Sequence, residues 1–572
     1  MLFIDFEVFK HDWLCVVEIP YTEPIVIVND TAALSRLYEQ HIKDIWIGSN
    51  IKGYDQYILK GILLGINPYA ISDYIINGDN FGWQYTDDFK LFSLNVYDVQ
   101  KPKRSLKESE AHAGHDIEET QVDFNLDRKL TEKEIELTVF YCKHDVTETI
   151  EVFMDDVDEF ETKLEILNSF KLNLKHISKS YSQLASLVFG ARQGLGEEQA
   201  DKYDLILPEV NTDMANEIAD WFEGIFDEDQ ETYYVKQGVQ HRIAGGGIHG
   251  CVEPMNSKGN YLLIDAVSYY PTLMIEYDLY SRNLTNRDKF NEVYDKRLAY
   301  KDVGNKQKAQ AYKKLINNTY GAMGDNFNKL YDLKMRNSIV ATGQVLLVEL
   351  MEMLADDCRI LFSNTDGILI EYDDFDVIDE ICAEWEDLYG IKLDFKEIDR
   401  VILKDVNNYI LIGDEVHRVG AYTKELSKYD NDLPILNKAV VEYLLNGKKP
   451  EETIFSSNDL MDFQKVVRLP TGSVGARYGY LEYTGKVYRV FASDSLQHNE
   501  LKAVKSNGLH SIAGIPELVF IDNTDVRGKS IPEYLDYTWY IAEAWNRIED
   551  FKAKTIDYIK PDEITDDMLP FG

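Results

Sequence analysis

The chain has 572 residues, 45% of them hydrophobic and 12% aromatic, ample for apolar cores and too many for one, so two to four domains are expected. A net charge of −40 disfavours loose, nonspecific gripping of nucleic acid and leaves nucleic acid held in a local basic groove. The five cysteines lack paired spacing, no stretch reads as a membrane span, and the start MLFIDFEVFK has no leader pattern; a soluble cytoplasmic protein without disulfides, zinc module or membrane contact is expected.

Residues 2–9, LFIDFEVF, place Asp5 and Glu7 two apart on a strand, so both point to one face. Two carboxylates on one face of an otherwise apolar strand repel unless a cation lies between them. The bland alternative is an edge strand with a solvated face. Residues 47–55, IGSNIKGYD, offer Asn50, Tyr54 and Asp55 at a turn leading into the helix-like QYILKGILLG. The segment Ser105-Leu106-Lys107 comes next. At the end of the helical stretch LTEKEIELTVFY come Tyr141 and Asp145, four apart on one helix face. From about 151 to 240 the chain is helical in pattern and very acidic, with no catalytic cluster.

Residues 244–250, AGGGIHG, allow a sharp turn or a close backbone approach at Gly246 and Gly247. In 261–271, YLLIDAVSYYP, an apolar run reads as a buried strand that delivers Asp265 to its end, and Pro271 is expected to end or bend the backbone there. Such a carboxylate should be paired or bound to a cation, because an unpaired buried charge is costly. Residues 289–323 read as two helices joined at 302–305. The first carries Arg297 and Lys301 one turn apart, and a solvated helix face is their bland reading. The second carries Lys313, Asn317 and Tyr320 on one stripe, a basic and aromatic surface suited to a triphosphate and a base. Residues 359–372, RILFSNTDGILIEY, read as a β-hairpin with Asp366 at its turn. Lys404 and Tyr409 come after it, and beyond 420 there are Lys-rich pieces without a catalytic cluster.

Asp-x-Glu, Asn-x-x-x-Tyr-Asp and Tyr-x-x-x-Asp, in this order, resemble the three motifs of the DEDDy 3′–5′ exonucleases that proofread in family B DNA polymerases. The resemblance implies that Asp5, Glu7, Asp55 and Asp145 hold two divalent metals, that Tyr141 orients the attacking water and that Asn50 contacts nucleic acid. Ser105-Leu106-Lys107 looks like a short family segment between the second and third motifs. Asp265-x-x-Ser-Tyr-Tyr-Pro, Lys313-x-x-x-Asn-Asn-x-Tyr-Gly and Asn364-Thr-Asp-Gly resemble motifs A, B and C of the same polymerases. Asn364 stands where the family has Asp, Gly367 where it has Ser, and Ala244 where it has the Tyr of its Tyr-x-Gly-Gly linker.

The resemblance implies an α/β multidomain fold: a ribonuclease-H-like exonuclease domain at 1–155, a helical connector at 156–243, a palm at 244–288 and 323–415, fingers at 289–322 and a thumb and C-terminal region at 416–572. The implied activity is template-directed DNA polymerisation with 3′–5′ proofreading, of bacteriophage type. Asp265 and Asp366 would bind metal, with two Mg²⁺ per active site and Mn²⁺ as a substitute. Arg297, Lys301 and Lys313 would hold the dNTP with Asn317 and Tyr320, Tyr270 would exclude a 2′-hydroxyl, and Gly246, Gly247 and Tyr409 would contact DNA. Implied partners of this monomer are primer-template DNA, dNTPs and a processivity factor, helicase or single-strand-binding protein. The short spans from Asp265 to Asn317 and from Gly321 to Asp366 leave no room for the insertions of protein-primed relatives, so a nucleic-acid primer is expected. Two alternatives stay open: an exonuclease whose polymerase half is degenerate, prompted by Asn364, and a non-enzymatic scaffold that binds primer-template.

Overall fold

A computed structural model describes residues 1–99, 104–117, 122–192, 199–224 and 229–552. Strand β1 (Leu2–Val8) is buried along nearly its whole length because it is the middle strand of a five-stranded sheet. On one side β2 (Trp13–Glu18) pairs with it antiparallel and carries β3 (Ile25–Val28). On the other side β4 (Ile45–Gly48) pairs with it parallel and carries β5 (Asn95–Asp98). This placement removes the edge-strand reading of Asp5 and Glu7. Even-numbered Leu2, Ile4 and Phe6 pack with Ile58 and Leu59 of helix Asp55–Leu63. Odd-numbered Phe3 packs on the other face with Cys142, Val146 and Phe153 of helix Glu132–Asp155. The period of two therefore turns Asp5 and Glu7 toward that helix. The helix begins at a capping box of Thr131 and Glu134 and runs for 24 residues, carrying both Tyr141 and Asp145.

Helices Val157–Ser169, Tyr181–Phe189 and Asp213–Gly224 come next. The stretch read as helical to 243 then changes character. β6 (Glu231–Lys236) and β7 (Val239–Ala244) form a hairpin whose two turn residues, Gln237 and Gly238, both have positive φ (50° and 81°). That is the geometry a tight two-residue hairpin requires, and the β-branched and aromatic residues of ETYYVK suit a strand. These strands edge a nine-stranded sheet that continues with β8 (Gly247–Cys251), β9 (Met255–Ala266), β10 (Cys358–Asn364), β11 (Gly367–Tyr372), β12 (Leu393–Asp405), β13 (Asn408–Gly413) and β14 (Val416–Val419). The order is β14-β13-β12-β9-β11-β10-β8-β7-β6, antiparallel throughout. β9, the strand that ends in Asp265, lies near its centre.

Pro271 does not break the chain's regular structure. It sits in the first turn of helix Tyr269–Glu276, where its missing N–H has no intrahelical partner to lose. The helix pair Arg287–Asp302 and Lys306–Met323 is joined at the expected turn, with Gly304 at φ 71°. Helix Leu333–Leu354 corrects the reading that nothing has the length of a membrane span, since its length and mean hydropathy of 1.2 match one. Its most apolar 18 residues are 89% buried inside the protein, where Ile339, Val345 and Leu350 share a core with Ile264, Ile368 and Ile370 of the large sheet. A helix apolar all round is a core helix when protein surrounds it.

The C-terminal region joins helices Pro434–Asn446 and Tyr537–Glu549 to two small antiparallel sheets. Its strands are β15 (Lys465–Arg468), β16 (Ser473–Tyr478), β17 (Leu481–Tyr483), β18 (Val487–Ala492), β19 (Leu501–Lys505), β20 (Gly508–Ser511) and β21 (Val519–Ile521). β18 runs between β15 and β21; the other four form the second sheet. The last residues of the expected 416–572 unit, 553–572, lie outside the described residues.

Candidate functional site

The first acidic centre forms where β1 meets the helices Asp55–Leu63 and Glu132–Asp155. Ligand atoms of Asp5, Glu7 and Cys142 lie within 4.8 Å of one another. The Cys142 thiol donates to Asp5 Oδ2 at 3.3 Å, and the Phe6 amide donates to Asp55 Oδ1 at 3.2 Å. Asp145 Oδ1 accepts from Lys107 Nζ at 2.7 Å, and the same ammonium donates to Glu110 Oε1 at 3.1 Å. It also lies 4.8 Å from the centroid of the Tyr141 ring. Lys107 stands in the first turn of helix Leu106–Ala113, which Ser105 and Glu108 cap reciprocally.

The electrostatics are those of an unneutralised site. Burial, then Asp55 and Asp145, push the Asp5 carboxyl well above the usual carboxylate range. Burial and then Asp5 do the same to Glu7, and burial raises Asp55 to about 7. Burial pulls Lys107 down, but Asp145 and Glu110 more than reverse this and keep it charged. One ammonium cannot balance this set of carboxylates. Burial, then Asp5 and Glu7, push the Cys142 thiol well up, in keeping with its role as a hydrogen-bond donor to Asp5. A buried, negatively charged donor set dominated by carboxylate oxygens fits hard divalent cations.

Asp98, which the sequence reading missed, shapes the turn before Asp55. Its carboxylate accepts from the Asn50 amide at 2.9 Å and the Lys52 amide at 3.2 Å. Asn50 takes a left-handed φ of 58° and is exposed. A Cβ on Gly53 would come within 2.4 Å of Asn50 Oδ1, so the Asn50 side chain lies directly over the Gly53 backbone.

The second centre lies on the large sheet. β9 sets Asp265 opposite Gly367 of β11, and the β10–β11 hairpin turns through Thr365 (φ 55°) and Asp366. The Ala266 amide donates to the Asp366 carbonyl at 2.8 Å, which fixes the two aspartates side by side. A Cβ on Gly367 would lie 2.4 Å from Asp265 Oδ1, the physical reason for glycine at that position. Asp265 Oδ2 accepts from Lys396 Nζ of β12 at 2.9 Å, so this carboxylate is paired, by a lysine that no motif marked. Asp366 is exposed, yet the surrounding protein partly desolvates its carboxyl; this, then Asp265, raises its pKa. Two adjacent carboxylates with one lysine again fit a hard divalent cation.

Beside Asp366 is a cavity of about 300 Å³, lined among others by Ser268, Tyr270, Arg297, Lys313 and Asn317. Four of the residues singled out in the sequence thus converge on it with Asp366. The Arg297 guanidinium donates to Ser268 Oγ. Tyr270 packs on Tyr320 with ring centroids 4.5 Å apart, so Tyr320 supports the wall. Lys301, exposed, is not among the lining residues. Tyr409 packs on Phe362 at 5.2 Å; burial, then Asp265 and Asp366, raise its hydroxyl pKa.

Gly245 and Gly246 form the β7–β8 turn in the large sheet, and Gly247 opens β8 opposite Ala244. A Cβ on Gly247 (φ 140°) would meet Thr365 Oγ1 at 2.9 Å, so its backbone packs against the Asp366 hairpin. A Cβ on Gly246 would meet nothing within 4 Å. Gln344 holds the Ala244 backbone from both sides, accepting its N–H at 3.3 Å and donating to its carbonyl at 2.9 Å.

No family model matches the chain. A stretch of 108 residues, 18% of the chain, is 30% identical to DNA polymerase 1 of Aeropyrum pernix and spans 11% of that protein. The structure of the family B DNA polymerase from the archaeon Pyrobaculum calidifontis aligns with 96% of this chain and 77% of its own, at 13% identity and a TM-score of 0.44. What the two centres can do is decided by their own residues.

Proposed function

We propose that this chain is a template-directed DNA polymerase of the family B kind, extending a nucleic-acid primer with dNTPs and proofreading with a 3′–5′ exonuclease. The observation that carries this reading is the convergence of Asp366, Tyr270, Arg297, Lys313 and Asn317 on one cavity, with Asp265 beside Asp366 on the neighbouring strand. A triphosphate needs cationic side chains along its oxygens, and Arg297 and Lys313 supply them on the finger helices. Asp265 and Asp366 would hold two Mg²⁺ ions, which when bound neutralise phosphoryl charge and activate the primer hydroxyl. The Tyr270 ring, backed by Tyr320, presents a rigid wall suited to excluding a 2′-hydroxyl. Lys301, one helical turn from Arg297, would meet the outer phosphates only if the finger helices tilt inward.

At the N-terminal centre Asp5, Glu7, Asp55 and Asp145 would hold the cations for phosphodiester hydrolysis, and Tyr141 would orient the attacking water. A central β1, with β2 alone antiparallel to it, supports a ribonuclease-H-like reading of that sheet. The nine-stranded sheet would be the palm, the helix pair the fingers and the C-terminal region the thumb. Between Asp265 and Asn317 the chain is taken up by helix Tyr269–Glu276 and the finger pair, and between Gly321 and Asp366 by helix Leu333–Leu354 and β10. That economy supports priming by nucleic acid. The net charge supports short runs and reliance on a processivity factor, helicase or single-strand-binding protein. A bacteriophage source and a bacterial cytoplasm belong to the same reading.

A second reading, an exonuclease with a degenerate polymerase half, is favoured by Asn364 in the hairpin and by Lys396 on Asp265. Primer extension separates the two. A 5′-labelled primer on a longer template, with Mg²⁺ and dNTPs, should lengthen to the template end, and without dNTPs it should shorten from its 3′ end. Shortening without any lengthening selects the second reading, and neither reaction rejects both.

A further inference from the structure

The helix that carries Lys107 is held by the C-terminal region more than by the sheet whose centre it serves. Arg489, on β18, is fully buried. Its guanidinium donates to the carbonyls of Ala111 (3.0 Å), His115 (2.8 Å) and Glu110 (3.5 Å) on one side and to those of Thr524 (2.8 Å) and Asp522 (3.3 Å) on the other. Glu110 and Ala111 lie in the last turn of helix Leu106–Ala113, where free carbonyls favour a cation. Around this grip the Val526 amide donates to the Gly114 carbonyl (2.9 Å), the Ile117 amide to the Asn523 carbonyl (2.7 Å) and Gln464 Nε2 to the His112 carbonyl (2.9 Å). Arg468 Nη1 reaches Glu108 Oε2 at 3.0 Å near the helix start.

A buried guanidinium is costly, and an apolar side chain of similar volume would fill the same space more cheaply. These hydrogen bonds go to backbone carbonyls of two segments remote in sequence, and not to a carboxylate. What Arg489 supplies is therefore a fixed geometry between those segments, and the element so fixed is the one that brings Lys107 to Asp145.

We propose that Arg489 is a positioning residue for the 3′–5′ exonuclease, holding the helix that delivers Lys107 to Asp145, so that the C-terminal region completes the exonuclease centre. The inference rests on the exonuclease reading above. It makes proofreading answer to the placement of the C-terminal region, while among the described residues no hydrogen bond ties Arg489 to the polymerase centre on the large sheet.

The test is single-turnover digestion of a 3′-labelled single strand by the full chain carrying Lys107→Ala, Arg489→Met or both, with primer extension measured on the same preparations. Loss of an outer partner of a metal centre lowers activity roughly 10–100-fold, and that is the loss expected for Arg489→Met, in the rate at saturating DNA and not in apparent DNA affinity. Extension should stay within about twofold, and the double variant should be no slower than Lys107→Ala alone, because both changes remove one contribution. Wild-type digestion by Arg489→Met, or losses that multiply in the double variant, overturn the inference. If Arg489→Met loses extension as well, the fold has failed and Arg468→Ala decides, its side chain being 57% exposed: slowed digestion with normal extension supports the inference, and unchanged digestion overturns it. Asp5→Ala separates the two levels. Digestion that survives it overturns the exonuclease reading and this inference together, whereas digestion that Asp5→Ala removes and Arg489→Met leaves intact overturns the inference alone.

Discussion

The two acidic centres solve the same electrostatic problem in different ways. In the N-terminal one, Asp5, Glu7 and Asp55 are enclosed by β1 and two helices, and burial pushes all three carboxyls upward. In the second, Asp265 is neutralised by Lys396 and Asp366 opens onto a basic cavity. A closed site stores charge repulsion that a proton or a bound cation relieves; an open one can wait for its substrate. The first should therefore couple to folding and the second mainly to turnover.

The largest effect expected is the separation of the two. Asp366→Ala should reduce extension by at least about 10³-fold, the scale of losing a group that stabilises charge in the transition state, with digestion retained. Asp5→Ala with Glu7→Ala should do the reverse. Joint loss of both reactions from either variant, in a protein that still melts cooperatively, would break the two-centre assignment.

Next in size is sugar selection. Tyr270→Ala removes the wall backed by Tyr320, and ribonucleotide incorporation should rise by about 10²-fold, since each 1.4 kcal/mol or so of lost clash is about tenfold in rate. Competition between dNTP and rNTP in single-nucleotide extension measures it, and an unchanged ratio assigns the selection elsewhere.

A smaller effect tests the lysine that distinguishes the open centre. Lys396→Met removes the cation already paired with Asp265, so the Mg²⁺ concentration for half-maximal extension should fall severalfold. A Mg²⁺ titration of the extension rate reads this, and a rise in that concentration would mean that Lys396 supports the ion instead of competing with it.

The smallest effect concerns the closed centre and stability. Asp55 binds its proton more tightly when folded, with a pKa of about 7 against an ordinary 3.8. At low pH both states are protonated and nothing is lost. As pH rises from about 4 to about 7 the unfolded chain releases its proton first, and folded stability falls. Without divalent cations the Tm advantage of Asp55→Asn over the parent should grow across that window to a few degrees, and Mg²⁺ should shrink it. A constant difference across the window would show that Asp55 is not strained by its surroundings.

Much of both centres is legible in the sequence because it rests on local periodicity. Asp5 and Glu7 share a face by a period of two, Tyr141 and Asp145 by one helical turn, and Lys313 and Asn317 by another. The turn of β10–β11 is readable from two apolar runs around four polar residues. The β6–β7 hairpin is not, because strongly acidic surroundings mask a short Gln-Gly turn between two alternating runs. The helix that carries Tyr141 and Asp145 runs on past them, with Val146 and Phe153 packed against the sheet.

By itself the sequence determined which carboxylates point together, which strand ends in Asp265 and which helix faces carry the basic and aromatic side chains, since each depends on neighbours within a turn or two of backbone. Only the tertiary structure decided what neutralises them. Lys396 reaches Asp265 across 131 positions, Lys107 reaches Asp145 across 38, and Arg489 reaches the His115 carbonyl across 374. Such partners are chosen by sheet order and by how the regions pack, and no local period encodes either. The same holds for helix Leu333–Leu354, whose composition fits a lipid or a protein interior alike, and which the surrounding sheet and helices made a core.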